Sequence, residues 1–451
     1  MIHVDARPFV RPKGRILHVS EYCYLDSTGG VQRYLAELLR EMQLRGLHSS
    51  LMWLTDERTA ARQSADHSVV VAMPSRGPDD GSADFRRAAE RALLHASRPA
   101  LIHFHTFGQR EAVIAELAAQ HSIPYLFTYH YPASLCPNRS LLRWGTTPCD
   151  GEIRALRCSA CRLVSVVRTP RAPGAAAHQF AGSVAASARR APAVFRRPAM
   201  AAWRDAVRHF LTHSVLVLFH VPRARPILEA NGAQPATLHL CPPGVSADFL
   251  RWSGRPATPA PGDRSAPFVV GYVGRLDPLK GFGILVEGFM RTTWPKARLR
   301  LVGSSGPHGR DVEYVRRIEQ LAGHDSRVQF VGGLPLGANA SLYDRMALLA
   351  IPSVGVEGGP PLVLYEALQL GLPVLGSNQV GEPELVSRYG HLVDPNTPEK
   401  WAEVLSDVFD KIQRGQQWTA NVNGADRLPR RTMADAALDI IGHYERIVGP
   451  A

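Results

Sequence analysis

The stretch VGVEGGPPLVLYEALQLGLPVLG, residues 354–376, places a turn of glycine and proline between a strand-like run, LLAIPS, and an apolar helical segment. The helix is expected to begin with LVLYEALQLG and to carry Glu366 in its first turn, and a second strand-like run, PVLGS, follows it. Strand, turn, helix and strand in this order are typical of a parallel sheet with right-handed crossovers. The stretch therefore predicts an α/β fold.

The same alternation extends over most of the chain. RILHVSEY (15–22) has the length of a strand, and a glycine turn and a helical periodicity follow it, formed by Val31, Leu35, Leu38, Leu39 and Met42. Alternating segments continue to about residue 250 and start again at residue 268. Between them, RWSGRPATPAPGDRSAP (251–267) has no periodicity and is rich in proline, glycine and serine, which is typical of a linker.

The chain has 451 residues, more than one hydrophobic core normally supports, so two domains are expected. We predict two Rossmann-like, doubly wound domains, residues 1–250 and 268–430, joined by the linker and followed by a helix within residues 431–451. Open α/β sheets bind ligands at the carboxyl ends of their strands. The cleft between the two domains is therefore the expected binding site.

Composition limits the class of protein. Hydrophobic residues make up 45% and charged residues 20% of the chain, which fits a soluble enzyme and excludes global disorder. No apolar run has the roughly 20 residues that a membrane span requires. The first 20 residues lack the pattern of a secretory signal, so we expect the protein in the cytoplasm.

The formal net charge of +12 is concentrated between Arg154 and Arg208, where arginines recur and acidic residues are nearly absent apart from Asp205. This segment favours a cationic, partly amphipathic surface for an anionic membrane, and a solvated basic face is the alternative. No nucleic-acid partner is expected, because no recognised RNA- or DNA-binding motif accompanies the charge. The apolar residues of the segment are Phe195, Met200, Trp203 and Phe210.

Two stretches predict binding of a nucleotide sugar. In GYVGRLDPLKGF (271–282), Arg275 and Lys280 follow a strand and precede a helix, where cations suit a diphosphate, although solvated loop charges would look the same. In the opening stretch, the turn formed by Gly358, Gly359, Pro361 and Leu362 can offer backbone N–H groups to phosphate. Glu366 can accept hydrogen bonds from the vicinal hydroxyls of a ribose, and Glu357 can accept them from a second sugar.

These motifs together resemble the GT-B glycosyltransferases of retaining family 4, also called glycosyltransferase group 1. The resemblance covers nearly the whole chain and rests on the turn at Gly29 and Gly30, on GRL…KG, on LVGSSG and VQFVGGL, and on the glutamate pair before GLPVLG. It implies transfer of a sugar, of hexosyltransferase type, from a nucleoside diphosphate sugar to an acceptor hydroxyl. The C-terminal domain would bind the donor, the N-terminal domain would bind the acceptor, and no metal would be required.

The resemblance also assigns roles to single residues. Arg275 and Lys280 would hold the diphosphate, Glu366 the ribose and the backbone around Leu334 the base. The Gly29–Gly30 turn would approach the phosphates from the other domain. His130 matches the histidine of the family's T-x-H-D motif and would border the donor sugar and the reacting centre. In relatives the last helix crosses back onto the N-terminal domain, and the same is implied here.

The sequence departs from the family pattern at two positions. Eight residues separate Glu357 from Glu366, where the family usually has seven, so Gly358 occupies the position of the first glutamate. Either a one-residue bulge delivers Glu357 to the donor sugar, or backbone amides have taken over that contact. Tyr131 also replaces the usual aspartate after the histidine.

Cysteine and histidine raise the question of a metal. Cys136, Cys149, Cys158 and Cys161 have the spacing C-x12-C-x8-C-x2-C, which in a cytoplasmic protein favours a structural zinc site over disulfides. Some family members have similar cysteines after the histidine, and four reduced thiols are the alternative. Cys23 and Cys241 are expected in the core. His103 and His105 share one face of a strand, but no third ligand is evident, so a metal there is not favoured.

The resemblance implies attack on the same face that the diphosphate leaves, with the leaving phosphate acting as the base, because the sequence shows neither an enzymic nucleophile nor a dedicated general base. The basic segment favours an acceptor held at a membrane, such as a polyprenyl-linked saccharide of surface polysaccharide biosynthesis. Two other functions stay open: a nucleotide-sugar epimerase of GT-B fold and a non-catalytic GT-B-like binding protein.

Overall fold

The computed structural model describes residues 12–21, 29–47, 49–54, 68–70, 83–94, 98–168, 197–251, 267–305, 311–333, 340–359, 361–416 and 431–450. The predictions for Leu334, Cys23, Phe195 and most of the linker concern residues outside these ranges. Within the described ranges, the chain forms two parallel α/β sheets, which is the fold class that the sequence predicts.

The first sheet has seven strands in the order β3-β2-β1-β4-β5-β8-β9, and all its pairs are parallel. Its strands are β1 Ile16–Ser20, β2 Ser49–Trp53, β3 Ser68–Val70, β4 Leu101–Phe104, β5 Tyr125–Tyr129, β8 Leu216–Phe219 and β9 Leu238–Leu240. A small antiparallel hairpin of β6, Leu142–Arg143, and β7, Thr147–Pro148, follows β5. The helices of this unit are α1 Gly30–Leu44, α2 Ala83–Leu94, α3 Gln109–Gln120, α4 Ala155–Arg168, α5 Arg197–His213 and α6 Ala224–Ala230. The next helix, α7 Ala247–Arg251, packs in the core of the second unit through Phe249.

The second sheet has six parallel strands in the order β12-β11-β10-β13-β14-β15. Its strands are β10 Phe268–Val273, β11 Ala297–Val302, β12 Val328–Gly332, β13 Leu348–Ile351, β14 Val374–Ser377 and β15 Gly390–Val393. Its helices are α8 Phe282–Met290, α9 Val312–Ala322, α10 Leu362–Gln369, α11 Pro383–Tyr389 and α12 Pro398–Gln413. NASLYDRM, expected to be helical, contains one short 3₁₀ segment, Ala340–Tyr343.

Both sheets are covered on both faces. Every residue of β1, β4, β5, β8, β13 and β14 is buried, which explains why these strands appear as continuous apolar runs and not as alternating patterns. The strand order reverses between β1 and β4 in the first sheet and between β10 and β13 in the second. The loops after these strands are the places where such sheets bind ligands.

The last helix, α13, Met433–Val448, packs on the first unit and not on the second. Ile440 and Tyr444 lie in one apolar cluster with Tyr34 and Leu38 of α1. A capping box between Thr432 and Asp435 starts the helix. The chain therefore passes from the second unit back to the first just before this helix begins.

Helix α5 buries the apolar side chains that were predicted to face a membrane. Met200 and Phe210 lie in the core of the first unit, and the indole N–H of Trp203 donates to the carbonyl of Leu135 over 3.0 Å. The amphipathic part of that prediction is therefore wrong for the described residues, because the fold uses this face itself. Among the same residues, no helix is both long enough and apolar enough to cross a bilayer.

Candidate active site

The two units meet at loops that follow the carboxyl ends of their strands. The backbone N–H of Val356, after β13, donates to the carbonyl of Ser140 over 3.0 Å. Arg223, after β8, donates to the carbonyl of Val380, after β14, over 2.6 Å. The predicted donor-binding and acceptor-side loops are thus in direct contact.

Arg275 and Lys280 lie in one turn between β10 and α8. The carboxylate of Asp277 accepts the backbone N–H of Lys280 over 3.0 Å and lies 3.1 Å from the guanidinium of Arg275. The turn ends at Gly281, whose φ of 72° and close approach to the carbonyl of Pro352 leave no room for a side chain. The fold therefore brings both predicted cations to the same edge of the second sheet.

Glu357 joins Lys280 across the opening between β10 and β13. Its Oε1 lies 2.5 Å from the Lys280 ammonium and accepts the hydroxyl of Ser353 over 2.8 Å. Its Oε2 is buried and has no hydrogen-bond partner among the described residues. A buried carboxylate oxygen without a donor is costly, so this atom marks a position that a ligand hydroxyl would satisfy.

The packing around Gly358 bears on the two explanations of the shifted glutamate. A Cβ atom at Gly358 would lie 2.9 Å from the ring of Tyr129 and 2.9 Å from the Cα of Tyr131. No side chain can therefore occupy the position of the family's first glutamate in this arrangement. Glu357, one residue earlier, is the carboxylate that reaches Lys280, and its contact with the donor sugar stays a prediction.

Glu366 lies on α10 and is 2% exposed. The helix begins at Leu362, so Glu366 is its fifth residue, and the prediction that it lies in the first turn is wrong. Its Oε1 is 2.7 Å from the guanidinium of Arg33, on α1 of the other unit, and its Oε2 accepts the hydroxyl of Tyr343. Arg33 and Tyr343 were not predicted from the sequence.

The turn at Gly29 and Gly30 forms the start of α1. Gly29 is the N-cap residue with extended backbone angles, and it provides no side chain to cap the helix. The first turn of α1 also contains no acidic residue. The positive end of this helix dipole is therefore not neutralised from within α1, which is the condition under which such a terminus binds an anion.

His130 is the third of four histidines in a hydrogen-bonded chain, in the order His18, His105, His130 and His220. Its Nε2 lies 3.1 Å from Nδ1 of His105, whose Nε2 lies 2.9 Å from Nδ1 of His18. On the other side, Nδ1 of His130 lies 3.0 Å from Nε2 of His220, and Nδ1 of His220 lies 2.8 Å from the carbonyl of Cys241. Burial lowers the pKa of His105 and His130 well below the ordinary value and that of His220 to about 4, so the rings are neutral at pH 7.

The carbonyl at the end of this chain fixes its direction. The Cys241 carbonyl can only accept, so Nδ1 of neutral His220 carries the hydrogen and its Nε2 accepts from Nδ1–H of His130. By the same reasoning Nε2 of His130 accepts from His105. Both ring nitrogens of His130 are therefore used within the protein. Its carbonyl oxygen lies against Gly359, 3.3 Å from where a Cβ would stand.

A third histidine, His18, lies beside His103 and His105, and the sequence did not reveal it. Ring nitrogens of these three buried residues lie within 4.8 Å of one another. His103 already pairs with the hydroxyls of Tyr444 and Thr128, both at 2.6 Å, and His105 pairs with His18 and His130. Because these nitrogens serve hydrogen bonds, we assign no metal to the group.

The four predicted zinc ligands are all free thiols. Cys161 accepts the backbone N–H of Trp144 over 3.2 Å and the amide of Asn138 over 3.3 Å. No three of the four sulfur atoms lie within 4.8 Å of one another, although all four residues are described. A structural zinc therefore stays a prediction, which metal analysis of the purified protein tests directly.

Glu111 is a further titratable group at the carboxyl edge of the first sheet. It lies in the first turn of α3, and its Oε1 accepts the hydroxyl of Thr106, the second residue after β4. Burial raises the pKa of Glu111 to about 7. Sequence reasoning missed it because a glutamate at a helix N-terminus is usually a solvated capping residue.

Two parallel α/β units that meet at the carboxyl ends of their strands define a two-domain architecture with a ligand-binding edge between the units. Two family models match the chain: "Glycosyl transferases group 1" over residues 267–411 and "Glycosyltransferase Family 4" over residues 28–249. The chain therefore belongs to the group 1, family 4 glycosyltransferases. This membership favours a transferase over the epimerase and the binding protein.

Curated relatives carry the same class of name. The chain is 30% identical over 226 residues to the D-inositol 3-phosphate glycosyltransferase of Mycobacteroides abscessus, covering 49% of each chain. It is 30% identical over 193 residues to the enzyme of that name from Corynebacterium jeikeium, covering 40% of this chain and 46% of the relative. The chain thus spans about half the length of the curated relatives it matches.

Solved structures agree in fold. HepE of Anabaena in complex with UDP and glucose superposes with a TM-score of 0.56 at 16% identity, covering 96% of this chain and 97% of the other. WaaG, a glycosyltransferase involved in lipopolysaccharide biosynthesis, gives 0.59 at 15% identity, covering 94% and 99%. A glycosyltransferase from Rickettsia africae gives 0.62 at 13% identity, covering 97% and 100%. At these identities the likeness establishes the fold, which is GT-B.

Proposed function

We propose that the protein transfers a sugar from a nucleoside diphosphate sugar to an acceptor hydroxyl, with retention at the anomeric carbon. The observation that carries this proposal is the pair of Glu357 and Lys280, with the buried, unpartnered Oε2 of Glu357 beside the contact between the two units. The carboxylate suits hydroxyls of the donor sugar, and the ammonium suits its phosphates. Neither group has a structural need for the other at the end of a strand.

The remaining donor contacts come from both units. Arg275 and Lys280 supply positive charge for the diphosphate, and the uncapped start of α1 at Gly29 and Gly30 faces it from the first unit. This charge stabilises the diphosphate as it leaves, in place of a metal ion. We therefore expect transfer to continue in EDTA at the rate measured without it.

Binding experiments test the donor site. Purified protein is titrated by calorimetry with UDP-, GDP-, ADP- and TDP-sugars, alongside the variants Lys280→Met and Glu357→Gln. One donor is expected to bind saturably, and each substitution is expected to weaken it at least tenfold, because each removes a charged hydrogen bond worth about 1.5–3 kcal/mol. Lys400→Met and Glu403→Gln change an exposed pair on α12 and serve as matched controls.

Two results would contradict this proposal. One is a folded protein that binds none of the donors. The other is equal weakening of the donor by the α12 control variants, which would show that the loss reflects general charge and not the site. The first would favour the non-catalytic binding protein of GT-B fold, and the second would place the donor outside the predicted site.

We infer retention because both ring nitrogens of His130 are engaged within the protein, so this histidine offers no free base. In a retaining reaction by same-face attack, the leaving phosphate accepts the proton of the acceptor hydroxyl. Glu111, with its pKa near 7, is the described group whose protonation would suit an inverting base instead. Glu111→Gln is therefore expected to change the rate less than threefold, and proton NMR of the product is expected to show the donor's anomeric configuration.

For the acceptor we propose a membrane-held saccharide lipid, with the protein peripheral on the membrane. Support comes from charge alone, since Arg154, Arg162 and Arg208 are exposed on or beside α4 and α5 while the apolar face of α5 is buried. Binding should therefore depend on anionic lipid and weaken with salt. Flotation with vesicles containing 30% anionic lipid tests this, and absence of binding at low salt would remove the membrane from the proposal.

A further inference from the structure

Arg33 connects the two units at the residue proposed to bind the ribose. It lies on α1 of the first unit, and its guanidinium is 2.7 Å from Oε1 of Glu366 on α10 of the second. The hydroxyl of Tyr343 occupies the other carboxylate oxygen. Both oxygens of a carboxylate that is 2% exposed are thus engaged by protein groups. Each oxygen could accept a second hydrogen bond, but the carboxylate is almost fully covered, so a ribose can reach it only if one of these partners moves.

Arg33 is the partner that can move. The side chain of Arg33 is 26% exposed, whereas Tyr343 is fully buried in the second unit. Arg33 is held from outside its own helix, by Glu366 and by the ring of Phe249, over which its guanidinium lies at 5.5 Å. It does not stabilise α1, because a cation near the positive end of a helix dipole is unfavourable.

We propose that Arg33 is a further donor-binding residue that exchanges one partner for another. When the ribose hydroxyls bind Glu366, the guanidinium leaves that carboxylate and pairs with the diphosphate. In the proposed function the start of α1 faces the diphosphate, and Arg33 is the fourth residue of that helix. A guanidinium suits phosphate oxygens as well as it suits a carboxylate, so Arg33 keeps an anionic partner, and the ribose hydroxyls replace the hydrogen bond that Glu366 loses. This inference rests on the proposed function, which assigns the ribose to Glu366 and the phosphates to α1.

The exchange makes two opposite predictions for one substitution. Arg33→Met removes the competitor for Glu366, so a nucleoside without phosphate should bind more tightly, by about tenfold. The same change removes a phosphate ligand, so the gain in affinity from adding the diphosphate should fall at least tenfold. A residue with only a structural role would weaken both ligands by a similar factor.

The experiment compares a nucleoside with its diphosphate. Uridine and UDP, guanosine and GDP, and adenosine and ADP are titrated into wild-type protein, Arg33→Met and the control Arg40→Met, which changes an exposed arginine on the same helix. Ligand-observed NMR measures the weak nucleosides and calorimetry the diphosphates. The ratio of the two dissociation constants is the readout, and Arg40→Met is expected to leave it unchanged.

Tyr343→Phe separates the exchange from a general effect on Glu366. The hydroxyl of Tyr343 donates to the carboxylate and is fully buried, so its loss should change the affinities for nucleoside and diphosphate by the same factor and leave their ratio unchanged. If Arg33→Met does not fold, as judged by thermal unfolding, Arg33→Gln takes its place with the same expected fall in the ratio.

Each outcome has one meaning. Tighter nucleoside binding together with a smaller diphosphate gain supports the exchange. An unchanged ratio in a folded Arg33 variant, or nucleoside binding no tighter than in wild type, overturns it. If wild-type protein binds none of the diphosphates, the donor site of the proposed function fails, which is a different result from failure of the exchange.

Discussion

At the scale of single residues, the site depends on the close packing that glycine permits because it has no side chain. Gly358 packs so closely on Tyr129 and Tyr131 that the position can hold no side chain, and the carboxylate of Glu357 is delivered instead from the preceding residue. Both departures from the family pattern, the shifted glutamate and Tyr131, thus meet in one contact. The two departures are compatible with each other, because the close packing of Gly358 on Tyr131 goes with a carboxylate at residue 357.

Gly358→Ala tests this contact. The added methyl group would meet the backbone of Tyr131, which cannot yield as a flexible side chain would, so the two loops are expected to separate by part of an ångström or more. We expect initial rates of transfer to fall at least tenfold, because misplacement of about 1 Å can cost a hundredfold.

The matched control for this change is Gly442→Ala. Gly442 lies in the interior of α13, where an added methyl group meets only the end of the Arg446 side chain at 3.7 Å. We expect it to leave the rate unchanged and to raise the free energy of unfolding by up to about 1 kcal/mol. Full activity in Gly358→Ala would show that the close contact is not needed for turnover.

The sequence identified most of the residues at this edge but not their partners. Arg275, Lys280, Glu357 and Glu366 were found because charged residues beside glycine turns at strand ends have few structural uses. Arg33 and Tyr343 have no such signal, because an arginine in a helix and a tyrosine in an apolar segment are ordinary. Only the packing of one unit on the other reveals that they share the carboxylate of Glu366.

At the scale of elements, the histidine chain is a product of strand order. The parallel register of β5 and β8 sets Tyr129 beside Phe219, so the residues that follow, His130 and His220, meet at the sheet edge. The same holds for β1 and β4, where His18 is the partner of His103. The repeated pattern of a buried strand ending in histidine, in YLFTYH and VLVLFH, was a usable signal for His220. The neighbouring positions of the strands were not readable from sequence.

The chain of neutral histidines predicts how stability depends on pH. Burial lowers the pKa of His103, His105 and His130 well below 6.5 and that of His220 to about 4. Below pH 6.5 the unfolded chain therefore binds more protons than the folded protein. The contribution of each such histidine to stability should be complete above that pH and fall by about 1.4 kcal/mol per pH unit as the pH is lowered towards 4. The raised pKa of Glu111 acts in the opposite direction, so the histidine contribution is read from the difference between wild type and variant.

Urea unfolding between pH 8 and pH 5 measures this slope. His220→Asn is expected to make it shallower, whereas His213→Asn, which changes an exposed ring at the end of α5, should leave it as in wild type. A stability that does not change over this range would contradict the neutral, buried chain.

At the scale of the whole molecule, sequence periodicity predicted the α/β class and the alternation of elements, because buried parallel strands and amphipathic helices have distinct patterns. It could not predict that Ser140 and Arg223 would bond to the second unit, since these contacts depend on how two finished surfaces fit. It also assigned the apolar residues of α5 to a membrane, because periodicity shows that a face is apolar without showing what covers it.

Ile440 tests the packing of α13 on the first unit. It is fully buried against α1, and truncation to alanine should cost about 2–5 kcal/mol of unfolding free energy through the cavity that it leaves. Leu438→Ala on the same helix, where the leucine is 41% exposed, should change stability by less than about 0.5 kcal/mol. Chemical denaturation compares the two, and equal small effects would show that α13 is not part of the first core.

The position of α13 bears on how the protein is made. A ribosome releases the chain from its N-terminus, so β1 and α1 emerge long before residues 433–448 are synthesised. Until then Leu38, Met42 and the other apolar residues that face α13 have nothing to cover them. The core of the first unit is therefore completed only after the entire second unit has been translated, and an apolar strip stays exposed until then. Premature termination near residue 430 would leave a nascent protein whose second unit is complete, while its first unit exposes an apolar strip to which chaperones bind.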